Sequence, residues 1–248
     1  RALHRLILDS ATWRQDSRVG ADQRLLDPDN RRLARGPTFR LSAEMIRDGA
    51  LAAAGLLDRK VGGPSVKPYQ PPGLWEEKSG AAYKPDTSSG LWRRSLYTYW
   101  KRTSPPPAMT TLDAPSREVT CVRRTTTQNP LQALLLMNDP QFVEAARVLA
   151  QRVLSSAAKS TTASDDAMCI EAMYLRALSR RPRPREAQVL LSQVADLRSA
   201  FAADAEAAAK LIAIGHFPAD ARLSSTELAA WTIVASTLLC HDECSHLR

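Results

Sequence analysis

Six arginines, Arg93, Arg94, Arg102, Arg117, Arg123 and Arg124, fall within thirty-two residues of one another. The stretch that opens the group reads LWRRSLYTYWKRTSPPP from Leu91 to Pro107, so cations and rings alternate closely before a triple proline ends the run. A guanidinium presents a planar fork of donors that fits sulfate, phosphate or carboxylate, and the rings beside it can stack on sugars. The same arginines suit a second task. An irregular, proline-rich chain carries backbone carbonyls with no ladder partner, and arginine is well made to donate to them. A division of roles is expected: some guanidiniums hold loop carbonyls or the carboxylates of Asp113 and Glu118, and the unpaired ones form an anion-attracting patch.

Carboxylates supply the rival chemistry. Glu44 and Asp48 stand one helical turn apart in AEMIRDG, and Asp113 and Glu118 flank DAPSRE. Paired carboxylates can divide general-acid and general-base work, because crowding drives their pKa values apart, and glycosidases use such pairs. The same acids can simply pair with Arg47 and Arg117. An enzyme would bring these acids together in one cleft, whereas a recognition module would show them paired off. Ser116 has no histidine to activate it, since none lies between His4 and His216. DRKVGGPSV lacks phosphate-loop spacing and reads as a helix stop at Gly62-Gly63-Pro64. CHDECSH gathers Cys240, His241, Cys244 and His246, all zinc-ligand types, without a second ligand pair at finger spacing; a fraying helix end is expected there and no metal. The four cysteines, Cys121, Cys169, Cys240 and Cys244, are compatible with disulfides, but their spacing demands none.

The elements that must position these groups fall into three zones over 248 residues. Residues 1–60 read as helical with loops: RALHRLILDSATWRQ is amphipathic, with Leu3, Leu6 and Ile7 on one side. Ser42 can cap a helix bearing Met45, Ile46, Ala50, Ala53, Leu56 and Leu57 at the 3.6-residue period. Residues 61–129 are rich in Pro, Gly and aromatics, and their tryptophans and tyrosines predict an ordered, packed segment. Within it SLYTYWKR is expected to be a short helix burying Leu96, Tyr99 and Trp100, with a strand as the alternative. A buried Trp100 would cost roughly 3–5 kcal/mol on truncation. Residues 130–248 read as a helical array. Asn129-Pro130 and Asp139-Pro140 each set a cap before a first-turn proline, Pro184 opens another helix, and Ser224 with Glu227 forms a capping box. The fold class is therefore mainly α: a helical, bundle-like domain with a long ordered Pro/Arg/aromatic segment.

Charge narrows the partners. The net charge is +8 with pI near 9.6, and between Arg93 and Arg124 seven Lys/Arg face two acids. No Lys/Arg run marks a nucleic-acid tail, so nucleic acid is not the expected partner, and no run of eighteen apolar residues encodes a membrane span. The opening residues lack the apolar core and cleavage site of a signal peptide and start as if mid-element, which is read as a C-terminal piece of a longer protein.

Several long stretches occur in order: FRLSAEMIRDGALAAAGLL, GGPSVKPYQPPGLWEE, RRSLYTYWKRTSPPPAMTTLDAPSRE, VRRTTTQNPLQALLLMNDPQFVEAARVLAQRVL and ELAAWTIVASTLL. Together they resemble the planctomycete-specific C-terminal domain of unknown function, from residue 1 to about residue 239, so that 1–248 is read as a single such domain. TTTQNPLQ stands where that pattern has R-x-TNTPLQ, and CHDECSHLR replaces a tail like NLDEFLTRE, so the tail Cys and His residues look particular to this chain. The resemblance implies an exported, periplasmic or cell-surface protein with preceding domains, often including a cytochrome-c-type haem domain, and a link to polysaccharide use. It implies no cofactor in this chain and carries no catalytic residue across. The leading expectation is an accessory or recognition module for an anionic polysaccharide or a partner domain; the alternative is a carbohydrate-active hydrolase or lyase.

Overall fold

The computed structural model describes residues 1–157 and 166–247, and over these the protein is mainly α, with twelve α-helices and one two-stranded sheet among the described residues. The chain forms two compact units, one of residues 1–41 with the C-terminal residues from Ser245, the other Ser42–Cys244. In the smaller unit, α1 (Ala2–Leu8) and α2 (Ala21–Leu26) precede β1 (Phe39–Arg40), which pairs antiparallel with β2 (His246–Leu247), Phe39 opposite Leu247. Its loops are tied by polar bonds: the Asp27 carboxylate accepts the N–H groups of Arg31 and Arg32, both at 2.8 Å. The stripe of Leu3, Leu6 and Ile7 is on α1 as the period requires, but all three side chains are exposed.

The larger unit holds α3 (Ala43–Ala53), α4 (Leu74–Ser79), α5 (Pro107–Thr111), α6 (Pro130–Asn138), α7 (Pro140–Ala157), α8 (Asp166–Leu178), α9 (Pro184–Ala203), α10 (Ala205–Ile212) and α11 (Ser225–Leu239). The last short helix, α12 (Asp242–Ser245), leads to β2. The core sits between α7 and α11, with α3, α6 and α8 against α7 and α9 and α10 against α11. LAAWTIVASTLL is apolar all round, which suits a helix packed on every side, and Trp231 at its centre is 0% exposed. The expected stripe of Phe142, Val143, Ala146, Leu149 and Val153 is buried, as are Ile170, Met173 and Tyr174 of α8 and Leu190 and Val194 of α9.

Local chemistry sets the starts of α3, α6 and α7. Asn129 Oδ1 accepts the Gln132 N–H at 3.2 Å, Asp139 Oδ1 accepts that of Gln141 at 3.0 Å and Ser42 Oγ that of Met45 at 3.3 Å. Each such cap is worth about 0.5–2 kcal/mol. α11 begins after Ser224, but no capping box forms. The Ser224 hydroxyl meets Thr226 instead, and Glu227 is drawn to Trp231 Nε1 at 2.7 Å and to Arg198. A charged, forked partner outcompetes a single backbone N–H. α3 stops earlier than Gly62-Gly63: Gly55 takes φ +70° and Leu56 N–H returns to Leu51 C=O. Met45 stands 53% exposed on α3, off the buried face that Ile46, Ala50 and Ala53 share.

The middle segment departs most from expectation. Residues 88–97 form two 3-10 turns, Ser88–Trp92 and Ser95–Tyr97, and not an α-helix. Bridges Asp58 to Arg93 and Val66 to Thr98 pair this stretch with residues 58–66, and that pairing sets which side chains turn inward. Leu91, Arg93, Ser95 and Thr98 are buried, whereas Leu96 is 74% and Tyr99 42% exposed. Trp100 is half-buried, so its truncation costs less than the core value. Cations and rings alternate because they stack. Lys101 Nζ lies 4.4 Å from the Trp75 ring centroid, Arg117 4.4 Å from that of Trp100 and Arg93 3.8 Å from that of Tyr97. Packing continues through Met109, Leu112 and Ala114, but residues 116–131 are all exposed, Val122 at 99%. The expected packing of the whole segment to Asn129 thus ends near Pro115.

Two arginine clusters brace the helices. Arg180 takes both oxygens of Glu186, at 2.8 and 2.9 Å, and both of Glu243; Arg198 bridges Asp166 and Glu227. The hydrogen bond from Arg180, acting against burial, lowers the Glu186 carboxyl to about 2 from its ordinary 4.5, and Glu243 is lowered by the same partner. A carboxylate with a depressed folded-state pKa contributes stability that is complete above its ordinary value and lost as pH falls through the folded value. Denaturation midpoints should therefore fall as pH drops from about 4.5 toward about 2. Arg180→Gln should lower stability at neutral pH and flatten this acid slope; an unchanged slope would refute the assignment.

Candidate functional site

α3 organises the site from its first turn. Its Ser42 cap starts the helix, which places Glu44 and Asp48 one turn apart. Between them in sequence, Arg47 turns inward and is 2% exposed. It donates from Nε to Gln141 Oε1 at 2.5 Å, from Nη1 to Arg93 O at 2.8 Å and Ser95 Oγ at 3.1 Å, and from Nη2 to Leu91 O at 2.6 Å. Burial lowers its pKa to about 10, against the opposing charges of Asp48 and Asp139. Asp48 grips the same turn from outside, accepting Ser95 N–H at 2.8 Å and Ser95 Oγ–H at 2.7 Å. Residues 91–95 are therefore pinned to α3 by two neighbouring side chains of opposite charge.

That pinning separates the two adjacent arginines. The backbone is extended at Arg93 and Arg94, so their side chains leave on opposite sides. Arg93 is 5% exposed and donates to the carbonyls of Pro64, Gly62 and Lys60. It is a tie between loops, and its burial removes it from the set of six available to a ligand. Arg94 instead reaches a surface cleft of about 500 Å³ lined by Ser42, Glu44, Asp48, Leu96, Arg117 and Arg124, with Met45 beside them. Arg102 and Arg123 are exposed and do not line it.

The exposed strand of chain after Pro115 supplies the other two cations. Its base is fastened by Asp113, which accepts Thr127 N–H at 2.8 Å, Thr127 Oγ1–H at 2.9 Å and Gln132 Nε2–H at 3.1 Å. Trp100 Nε1 donates to Ser116 O at 2.8 Å, and Arg117 lies over the ring of the same Trp100. Arg124 crosses to Glu44 at 2.7 Å. Arg94 and Arg117 have no carboxylate partner among the described residues.

The four candidate acids do not share one free site. Glu44 and Asp48 line the cleft, but Glu44 holds Arg124 and Asp48 holds Ser95, with Arg47 at 3.6 Å. Burial pushes the Glu44 carboxyl up, yet its bond and charge pairing with Arg124 outweigh burial, and its pKa ends below the ordinary carboxylate value. Glu44 is thus ionised at neutral pH and has no proton to give. Asp113 is occupied at the base of the arm, and Glu118 is exposed outside the cleft. Burial raises the thiols of Cys240 to about 11 and Cys244 to about 12, so both stay protonated at neutral pH. Among the described residues no group of three or more His, Cys, Asp or Glu is placed to hold a metal ion, and no helix is long and apolar enough to cross a membrane.

Sequence reasoning missed a fully buried, multiply bonded carboxylate. Glu144 of α7 is 0% exposed and accepts from Trp92 Nε1 at 2.9 Å, Tyr69 Oη–H at 3.1 Å, His216 N–H at 2.6 Å and Phe217 N–H at 2.7 Å. Its signal was a charged pair, Glu144 and Arg147, inside a helix whose other faces are apolar.

Fold and cleft define a mainly α protein with a basic surface cleft whose acids are already engaged. Residues 1–194 match PSD1, described as a protein of unknown function (DUF1553), and the chain belongs to that family. No curated protein and no solved structure matches it.

Proposed function

We propose that this protein is an accessory recognition module that binds an anionic group of a polysaccharide, sulfate or carboxylate, in the cleft of Arg94, Arg117 and Arg124. One observation carries the reading: Arg94 and Arg117 converge on a cleft of ligand size without carboxylate partners among the described residues. Exposed Leu96 and Met45 at its edge offer apolar contact to the faces of a sugar ring. The resemblance to exported planctomycete proteins supports a periplasmic or cell-surface setting, with preceding domains of the same polypeptide as partners. In this reading haem chemistry belongs to such a domain, since this chain has no Cys-x-x-Cys-His attachment motif. The hydrolase or lyase reading draws on Glu44 and Asp48 lining the same cleft, and the ionised state of Glu44 weighs against it.

The test is retention on immobilised dextran sulfate, with neutral dextran as the control. Arg94→Gln with Arg117→Gln should leave folding intact, because both side chains sit at the surface, and should weaken binding roughly tenfold or more. Retention by the unaltered protein should fall with salt, since exposed charges are screened over roughly 8–10 Å at about 0.1–0.15 M. Unchanged retention of the double variant would move the site elsewhere, and turnover of a sulfated polymer that is lost in Glu44→Gln would favour the enzyme.

A further inference from the structure

A second concavity lies between α8, the start of α9 and the end of α11, and shares no residue with the arginine cleft. It is a groove of about 380 Å³, within the range of about 300–1,000 Å³ that small-ligand sites occupy. Its floor is apolar: Tyr174, Leu190 and Leu238 are each buried beneath it, and Val189 stands 59% exposed along it. Its mouth is cationic. Arg183, the residue just before α9, and Arg185 in its first turn are exposed, and the N-terminal dipole of this twenty-residue helix adds to their field.

The acids nearby do not cancel that charge at the mouth. Glu186 itself lines the groove, but it gives both oxygens to Arg180 and accepts the Arg183 backbone N–H at 2.7 Å; its contact with the Arg183 guanidinium is a loose 3.9 Å. Arg185 has no carboxylate partner among the described residues. His241 also lines the groove, and its Nδ1 accepts the Glu243 N–H at 3.2 Å, which places the proton of the neutral ring on Nε2. The groove thus offers an apolar floor, two cations at the start of α9, and Thr237 and His241 as further polar groups from the end of α11.

From this we infer that the groove binds a small amphipathic carboxylate, an aliphatic or aromatic acid whose apolar body lies on Tyr174, Val189, Leu190 and Leu238 and whose carboxylate faces Arg183 and Arg185. An uncharged or cationic amphiphile leaves the two arginines unused.

Octanoate is the probe, with octylamine as its charge-reversed control, titrated into the whole 248-residue chain and followed by amide chemical shifts. Octanoate should give saturable shifts at Val189, Leu190 and Leu238, and octylamine should bind about tenfold more weakly or worse. Arg183→Gln with Arg185→Gln should cost about tenfold in octanoate affinity, and Val189→Asp should abolish the groove shifts. Should the double variant unfold, Arg185→Gln alone, at an exposed and unpaired position, should still weaken binding about threefold. Equal binding of octylamine, octanoate shifts outside the groove, or affinity unmoved by the arginine variants would each overturn the assignment.

Discussion

Replacing Glu144 with alanine should remove about 3–5 kcal/mol of folding stability, the cost of breaking a buried, fully engaged charge. The carboxylate is 0% exposed and closes four hydrogen bonds onto three separate segments: Tyr69, Trp92 and the turn at His216 and Phe217. Alanine would remove the acceptor of Tyr69 Oη–H, Trp92 Nε1–H and Phe217 N–H, while His216 N–H keeps Tyr69 Oη at 2.8 Å; each donor that water cannot reach costs about 1–3 kcal/mol. Arg147, one turn along α7, donates to Phe217 O at 2.5 Å, so the same turn is held from both sides. Glu144→Gln should fall between the two, since the amide keeps one acceptor but turns its own donor on the others. Gly215 gives an internal check. It takes φ +95°, and a Cβ there would meet Glu144 Oε1 at 2.5 Å. Gly215→Ala should therefore be destabilising alone and less so in the Glu144→Ala background, a non-additivity readable from urea midpoints. Additive effects, or a Glu144→Ala midpoint equal to that of the unaltered protein, would refute the role given to Glu144.

Arg47→Ala should cost a similar amount, about 3–5 kcal/mol, and should also weaken anion retention. Arg47 is the inner of the two grips on residues 91–95, donating to Leu91 O, Arg93 O, Ser95 Oγ and Gln141 Oε1. Without it Asp48 keeps Ser95 but loses its neighbouring cation, and the extended backbone that sends Arg93 inward and Arg94 outward is released on one side. Arg47→Lys should rescue little, because one ammonium cannot reproduce a fork directed at several acceptors. Amide hydrogen exchange should accelerate across residues 91–99, where Tyr99 N–H bonds Val66 O at 2.7 Å. If Arg47→Ala kept both its midpoint and its retention on dextran sulfate, the proposed positioning role would be wrong.

Helix existence was readable because it depends on nearest neighbours. Asn129-Pro130 and Asp139-Pro140 carry their own capping chemistry, and the stripe from Phe142 to Val153 needs only a period of 3.6 to declare a buried face. The pairing of Glu44 with a cation was legible in kind, though not that the cation would be Arg124, eighty residues away. The fate of SLYTYWKR was not readable, because its pattern fits more than one backbone. The bridges from Asp58 to Arg93 and from Val66 to Thr98 turn Leu96 and Tyr99 outward, and no property of those residues encodes that pairing.

What the sequence determined by itself was a mainly α chain, where five of its twelve described helices begin, and a concentration of arginines with two possible uses. Tertiary structure assigned the uses. Arg93 and Arg94 have the same chemistry and adjacent positions, yet one satisfies the carbonyls of Pro64, Gly62 and Lys60 while the other faces a cleft. The difference comes from the bonds of Arg47 and Asp48 that orient this stretch of backbone. Glu144 shows the same rule in the core. A carboxylate is tolerated there because four donors from distant segments arrive together, and only the folded chain brings them within hydrogen-bond reach.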